Sequence, residues 1–224
     1  MEILEAIKER HSVRQFVDKP VEQFVVDRIN EEIKLCNSEG NLDFQLVVNE
    51  PKAFAGGFMS YGKFSGVNNY IALIAPKEAK EKVGYYGERL VLLAQSLGLN
   101  SCWVGLTYKK VPGVYNIAKG EKLHCVIALG YGKTQGVQHS VKDISAYVEN
   151  YSDNLPGWFV DGVRAAMLCP TAVNQQKFRF SLVGDRLVRA VSLFSMVGYT
   201  QIDLGIAKYH FEQAADRKNF DWAE

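Results

Sequence analysis

The stretch Glu9-Arg10-His11-Ser12-Val13-Arg14-Gln15-Phe16-Val17 concentrates two arginines, a histidine and a hydroxyl near the start of the chain. A helix is predicted over residues 3–9, directly before it. Alternate residues of an extended segment point the same way, so we expect Arg10, Ser12 and Arg14 to share one face. Two guanidinium groups beside a hydroxyl would form a socket for a phosphate or another multivalent anion. The alternative is that Arg10 complements a helix C-terminus and Arg14 is a solvated surface charge.

The composition is that of a globular protein: 224 residues, 47% hydrophobic and 23% charged. The formal net charge of +1 argues against a nucleic-acid binder held by bulk electrostatics, so the socket is a local feature. No apolar run reaches the length of a membrane span, and residues 1–10 have the pattern of an amphipathic helix without a signal core. We therefore expect a cytoplasmic protein with no nucleic-acid and no membrane partner.

The cysteines argue against a metal centre and against a disulfide framework. Four of them lie far apart, with no C-x-x-C pair and no histidine at ligand spacing. We expect reduced and mostly buried thiols, as is typical inside cells. No metal site is predicted.

Hydrophobic periodicity divides most of the chain into helices and strands. Residues 69–75 and 123–129 are apolar throughout, which is typical of central strands. The helix predicted over residues 78–99 is nearly apolar on all sides in its second half, so it should lie in a core or an interface. Further helices are predicted over residues 21–36, 158–168 and 203–215, with a weak one over 109–118 and a break at 37–41. Strands are predicted over residues 44–48 and 178–183, and a short strand or turn over residues 101–105.

Gly130-Tyr131-Gly132-Lys133-Thr134 looks like the end of a phosphate-binding P-loop. That motif needs a glycine five residues before the Gly-Lys-Thr, where this chain has Ile127 inside a predicted strand. The residues that follow are also a poor helix start. We interpret the stretch as a turn at a strand end.

The order helix, cysteine-containing polar turn, strand occurs twice, at residues 26–48 and 160–183. The apolar helix at residues 87–97 has a counterpart at 204–215. This repetition indicates an internal duplication, with a first half over residues 1–150 and a shorter second half over residues 151–224, packed as one unit. Chance repetition of helix and strand is the alternative.

Four motifs together resemble the flavin-dependent nitroreductase family. They cover most of the chain and are Arg10-His11-Ser12-Val13-Arg14, Gly98-Leu99-Asn100-Ser101-Cys102-Trp103-Val104-Gly105, Ala128-Leu129-Gly130-Tyr131 and Pro170-Thr171-Ala172-Val173-Asn174-Gln175-Gln176-Lys177-Phe178-Arg179-Phe180. Two departures stand out. The family's proline–asparagine loop normally follows the second helix, where this chain has only Cys36-Asn37-Ser38-Glu39-Gly40-Asn41, and Lys177 replaces a usual proline.

The resemblance implies an α+β nitroreductase-like fold with central, mostly antiparallel sheets flanked by helices. Ordinary members resemble intertwined homodimers that bind flavin between subunits. Here the two similar halves would form a single-chain pseudo-dimer that binds one flavin mononucleotide (FMN), because the second half has no Arg-x-Ser-x-Arg segment. The protein would be a monomer functioning as a pseudo-dimer, or a weak homodimer.

The resemblance also implies cofactor-binding residues. The phosphate would be held by Arg10 and Ser12 with His11 nearby, and Arg14 would reach the ribityl chain or the pyrimidine edge. Residues 170–174 would lie against the isoalloxazine ring, and a backbone N–H near residues 103–107 would face flavin N5. The full set is Arg10, His11, Ser12, Arg14, Trp103, Val104, Gly105, His139, Lys142, Pro170, Thr171, Ala172 and Asn174.

Each assignment outside the arginine segment has a plain alternative. Residues 170–174 have the composition of an ordinary turn, Trp103 is a candidate for core packing, and His139 and Lys142 would suit a solvated loop. A glycine-rich stretch at residues 56–66 would wall the substrate side, on composition alone, with Phe58, Tyr61, Lys63 and Phe64.

No general acid or base is obvious, which suits flavin-centred chemistry. We expect an FMN-dependent oxidoreductase that takes electrons from NADH or NADPH in a ping-pong cycle. The acceptor would be a small molecule such as a nitroaromatic compound or a quinone. The main alternative is a flavin-binding sensor or carrier without robust reductase activity. A structural α/β protein, and a dehalogenase or flavin-destroying enzyme on the same fold, are further alternatives.

Overall fold

Two sheets and five α-helices make up the described part of the chain in the computed structural model, which covers residues 1–55 and 63–223. The helices are α1 (Ile3–Glu9), α2 (Gln23–Gly40), α3 (Lys80–Ser96), α4 (Gly157–Met167) and α5 (Thr200–Ala215). The strands are β1 (Gln45–Val47), β2 (Asn69–Pro76), β3 (Asn100–Val104), β4 (Glu121–Gly130), β5 (Phe178–Leu182), β6 (Leu187–Ser192) and β7 (Asp221–Trp222). This confirms the predicted α+β class.

The first sheet has the order β1-β2-β4-β3, and all its neighbours are antiparallel. Its two central strands, β2 and β4, are buried along nearly their whole length, which is why their sequences are apolar without alternation. The helices α2 and α3 pack beside this sheet and close a core that contains Ile29, Ile71 and Leu90.

The arginine segment, residues 10–14, lies along the outer edge of this sheet. Ser12 forms a bridge with Ser101 of β3, and the Val13 N–H donates to the Ser101 carbonyl at 3.0 Å. Further along, Phe16 pairs with Gly132, just beyond β4. The P-loop-like stretch therefore forms the predicted turn, and the turn packs against the arginine segment.

The second sheet has the order β5-β6-β7 and is shorter. It packs on α4 and α5 through an aromatic cluster in which Phe180 and Phe211 stack at 4.9 Å between ring centroids. The strands β6 and β7 were not predicted. The sequence of β7 is only two residues long, and several outward residues of β6 are exposed, so neither has a strong apolar pattern.

The helices α3 and α5 join the two halves through a close and reciprocal contact. A Cβ atom added to Gly84 would lie inside contact distance of the Ile202 carbonyl oxygen, and one added to Gly205 would do the same with the Glu81 carbonyl oxygen. Ile202 precedes Gly205 by three residues, and Glu81 precedes Gly84 by three residues. Each helix therefore uses one glycine to admit the other's backbone.

Two local predictions were wrong. The helix α2 continues through the predicted break and ends at Asn41 in the left-handed conformation, φ 53°. The Asn37 side chain then both donates to and accepts from the Phe44 backbone, which stabilises the turn. The predicted weak helix at residues 109–118 is a series of turns, because Pro112 and Gly113 interrupt it. No helix among the described residues is both long and apolar enough to cross a membrane.

Candidate functional site

Arg10 is the buried member of the arginine segment. It caps the C-terminus of α1 in an extended conformation and is only 3% exposed. Its Nε atom lies 3.7 Å from Glu88 Oε1 on α3. This Nε atom is buried and has no hydrogen-bond partner within residues 1–55 and 63–223. A buried donor without a partner costs about 1–3 kcal/mol, so the site around Arg10 favours an added acceptor.

Ser12 and Arg14 converge with Arg10 on the thiol of Cys102, although their exposure differs. Burial raises the pKa of Cys102, while the Arg14 charge, a hydrogen bond with Ser12 and the Arg10 charge all lower it. Ser12 is half-buried and Arg14 is exposed, as the surface-charge alternative requires for Arg14. The three residues therefore all lie near one thiol, with Arg10 buried and Arg14 exposed.

The loop at residues 170–174 reaches the same region from the second half. Burial raises the pKa of Cys169 well above its ordinary value, the Glu88 and Asp203 charges raise it further, and Arg10 lowers it. Cys169 directly precedes Pro170, so Arg10 lies within electrostatic range of the start of the loop. The chain therefore brings together two predicted groups that are separated by about 160 residues.

The loop itself has an unusual backbone. Val173, Asn174 and Gln176 adopt positive φ angles of 48°, 53° and 47°. Such conformations cost a non-glycine residue about 1–3 kcal/mol each and concentrate at functional sites. Hydrogen bonds hold the loop in place: the Gln176 N–H donates to Thr171 Oγ1 at 3.0 Å, and the Asn174 side chain donates to the Ser140 carbonyl at 3.2 Å.

The Asp203 side chain on α5 accepts two hydrogen bonds from the loop. Its Oδ1 accepts the Ala172 N–H at 3.0 Å, and its Oδ2 accepts the Gln175 side chain at 2.7 Å. Burial nevertheless raises the Asp203 pKa from 3.8 to about 6, and the two hydrogen bonds only partly oppose this. Burying the ionised Asp203 carboxylate therefore costs free energy of folding, and its two hydrogen bonds fix the loop in return.

The raised pKa of Asp203 predicts a pH dependence of stability. As pH rises from about 4 to about 6, the unfolded chain ionises at Asp203 before the folded chain does, so the free energy of unfolding falls, by up to about 3 kcal/mol. Asp203→Asn should lack this fall. Urea denaturation across that pH range measures it, with the exposed Asp161→Asn as a matched control. Parallel profiles of wild type and Asp203→Asn would contradict the expectation.

His139 and His11 lie near Arg10, whereas the hydrogen bond that Lys142 forms comes from its backbone N–H. His139 Nε2 donates to the Met167 carbonyl at 3.1 Å, at the end of α4. The His139 pKa is lowered, chiefly by burial, and Arg10 and His11 lower it further. The Lys142 side chain is exposed, and its N–H donates to the Tyr147 hydroxyl at 3.1 Å.

Trp103 and Val104 end strand β3, and Gly105 follows them next to the second half. The Trp103 indole turns into the core and donates to Glu88 Oε2 at 2.9 Å. Val104 is buried. The Gly105 carbonyl accepts the Tyr199 hydroxyl at 3.1 Å, and a Cβ atom at Gly105 would lie 2.7 Å from the Tyr199 ring. The backbone of Gly105 is therefore close to the second half because it has no side chain.

Sequence reasoning missed four residues of this region. They are Glu88, His210, Asp203 and Tyr199. The only available signal was charge on otherwise apolar helices, at Glu88 on α3 and at Asp203 and His210 on α5. Of the predicted substrate wall, Phe58 and Tyr61 lie outside the described residues, Lys63 is exposed, and Phe64 packs on Phe54 at 5.2 Å between centroids.

A family model described as "Putative TM nitroreductase" matches residues 2–215. The chain belongs to this nitroreductase family. Membership in the nitroreductase family makes the protein an oxidoreductase by class. None of the curated proteins matches the nitroreductase chain.

Solved structures agree with this assignment. A "putative nitroreductase" from Thermotoga maritima is 25% identical with a TM-score of 0.68, over 96% of this nitroreductase and 83% of that chain. A "putative nitroreductase in complex with fmn" from Desulfovibrio desulfuricans is 17% identical with a TM-score of 0.51, over 68% and 98%. A "Putative NADH Oxidase" from Clostridium acetobutylicum is 21% identical with a TM-score of 0.51, over 65% and 99%. The last two likenesses show the fold.

Proposed function

We propose that this nitroreductase binds FMN and uses it to pass two electrons from NADH or NADPH to a small acceptor, such as a nitroaromatic compound or a quinone. The observation that carries the proposal is the buried Arg10 guanidinium, whose Nε lacks a partner among the described residues, beside Ser12 and His11. A phosphate group supplies the acceptor oxygens that this cation needs. The FMN complex of the Desulfovibrio relative is consistent with that choice.

The residues present fit the cofactor. Arg10, Ser12 and His11 would hold the phosphate, with His139 beside them. The loop at residues 130–136 approaches closely, since a Cβ atom at Gly136 would lie 2.8 Å from His11 Cβ. The exposed Arg14 would reach the pyrimidine edge, where a cation stabilises negative charge. Pro170, Thr171, Ala172 and Asn174 would face the ring, and Trp103, Val104 and Gly105 would contribute backbone on the other side.

When bound, FMN supplies the two-electron chemistry, so the chain's task is to bind, orient and exclude water. The strained loop at residues 173–176 is held by Asp203 and Thr171 rather than by solvent, which keeps its surface rigid. In the proposed ping-pong cycle, the nicotinamide donor leaves before the acceptor enters, so one surface serves both. No side chain of the described region is assigned as a general acid or base.

One FMN per chain is part of the proposal. Two observations support a single-chain pseudo-dimer: the reciprocal Gly84 and Gly205 contact, and the order helix, strand, strand, helix in both α2-β1-β2-α3 and α4-β5-β6-α5. The first half would contribute the arginine segment, and the second half the loop at residues 170–174. The Lys142 side chain is the least supported member of the proposed site, because it is exposed.

The acceptor side would be apolar. Phe194 and Met196 are 86% and 94% exposed, although their segment between β6 and α5 is anchored. The Gln175 side chain donates to the Gly198 carbonyl at 2.9 Å, and Tyr199 reaches Gly105. Leu106, next to Gly105, is also exposed. An aromatic acceptor would bury such side chains, which favours planar aromatic compounds.

The decisive measurement is a visible spectrum of the purified protein with the ratio of flavin to chain. We expect flavin absorbance and one FMN per chain, bleaching by NADH or NADPH without oxygen, and recovery with a nitroaromatic compound or a quinone. Two flavins per chain would refute the shared site. Tight binding of a flavin that stays oxidised with both donors would instead indicate a sensor or carrier. A protein that gains no visible absorbance with added FMN would refute the proposal.

A further inference from the structure

Glu88 lies on α3 and is a fully buried carboxylate, at 0% exposure. It belongs to the contact between α3 and α5, which forms the seam between the two halves. Donors converge on it from three elements. The Trp103 indole N–H donates to Oε2 at 2.9 Å, His210 Nε2 of α5 lies 2.9 Å from Oε1, and Arg10 Nε lies 3.7 Å from the same oxygen. These contacts place a donor or a cation at each oxygen of the carboxylate.

His210 is equally buried, and both of its ring nitrogens face oxygen atoms. Nδ1 lies 3.1 Å from the Ala165 carbonyl oxygen, and Nε2 lies 2.9 Å from Glu88 Oε1. A carbonyl oxygen can only accept, so Nδ1 must carry a proton. Without a further proton, Nε2 and Glu88 Oε1 would face each other at 2.9 Å as two acceptors, so one proton must lie between them. A second proton on Nε2 removes this conflict.

We propose that His210 is an imidazolium ion that neutralises Glu88, and so leaves the Arg10 charge free for an anion. It is then a positioning residue, contributed by the second half, for the phosphate group of the flavin. This inference rests on the proposed function for the identity of the anion. The protonation state of His210, by contrast, rests on the geometry of Glu88, His210 and Ala165 alone.

With His210 protonated, the three charged side chains of the cluster carry a net charge of +1. Arg10 and His210 contribute two positive charges and Glu88 one negative charge. Burial raises the pKa of both nearby thiols, Cys102 and Cys169, which keeps them uncharged.

Further ionisable groups lie near this cluster, among them Tyr209, whose pKa is raised by burial and also by the Glu88 charge. His139 has a lowered pKa and stays neutral at neutral pH. Asp203 also acts on Cys169, but the Ala172 N–H and the Gln175 side chain already occupy its oxygens. The buried positive charge at Arg10 is therefore left to an outside anion.

His210→Gln tests the assignment because glutamine can still donate to Glu88 but has no charge. With the net charge reduced to zero, FMN should bind about 10- to 100-fold more weakly, whereas riboflavin, which has no phosphate, should bind as it does to the wild type. A packing role alone would weaken both flavins equally. The matched control is His124→Gln. His124 is also mostly buried, with Nε2 3.0 Å from the Pro76 carbonyl, and no charge from the cluster acts on it.

Nitrogen NMR of the ring in flavin-free protein reads the proton directly. Both His210 nitrogens should carry protons at neutral pH, and a neutral ring would overturn the proposal. An equal loss of FMN and riboflavin affinity in His210→Gln, or no loss, would also overturn it. A wild type that binds neither flavin would refute the proposed function instead. The same comparison with inorganic phosphate as the probe would then decide whether His210 supports anion binding.

Discussion

Replacing Arg10 and Arg14 together by alanine is expected to abolish tight FMN binding and to leave the protein folded. Each charge-assisted hydrogen bond contributes about 1.5–3 kcal/mol, so losing both cations should weaken binding by about 10²- to 10⁴-fold. The fold should survive because Glu88 keeps His210 and Trp103 as partners when Arg10 is gone. Titration of flavin fluorescence measures the affinity, and circular dichroism checks the fold.

The matched control removes two arginines that lie elsewhere. Arg28 and Arg164 form exposed pairs with Glu31 and Asp161, one turn away on their own helices. Such surface pairs contribute little to stability. Arg28→Ala with Arg164→Ala should therefore bind FMN like the wild type. Tight binding by the Arg10 and Arg14 variant would show that the socket assignment is wrong.

Gly84→Ala and Gly205→Ala are expected to destabilise the protein by about 3 kcal/mol or more each. A methyl group at either position meets the backbone of the facing helix, not a flexible side chain, so α3 and α5 must move apart. Both helices contribute side chains to one hydrophobic core, among them Leu90 of α3 and Phe211 of α5, so its packing depends on that contact. Urea denaturation followed by circular dichroism measures the loss, and low yield of folded protein would be consistent with it.

Gly157→Ala is the control for this pair. Gly157 begins α4, and a Cβ atom there would meet nothing within 4 Å. Alanine is the better helix former, so this variant should be as stable as the wild type or slightly more stable. If the Gly84 and Gly205 variants were equally stable, the seam between the halves would be looser than its geometry indicates.

Strong local patterns were enough to predict most of the fold. Strands β2 and β4 were predicted because burial on both faces requires apolar residues at nearly every position. The helix over residues 3–9 was predicted because burial of one side gives apolar residues at helical spacing. The strands β6 and β7 and the turns at residues 109–118 were not predicted. Tertiary contacts, rather than local preference, determine their structure, as when the Lys109 N–H donates to the Ala53 carbonyl.

The candidate site was predictable only in part, for a related reason. The arginine segment is contiguous, so its chemistry is visible in five residues. The partners of Arg10 are not contiguous: Glu88 and His210 come from two helices separated by more than a hundred residues. One charged residue in an apolar helix does not indicate which residue will face it. Only the packing of α3 on α5 brings that pair together.

The reciprocal glycines also show where the two halves differ. Four residues after Gly84 comes Glu88, whereas four residues after Gly205 comes Tyr209, so the buried carboxylate has no twin. In an assembly of identical subunits every substitution appears twice, and dilution can separate the copies. Because α3 and α5 belong to one chain, dilution does not separate them, and a change on one helix leaves the other unaltered. In the proposed pseudo-dimer, a single Glu88–His210 pair thus occupies a contact at which two identical subunits would carry two such pairs.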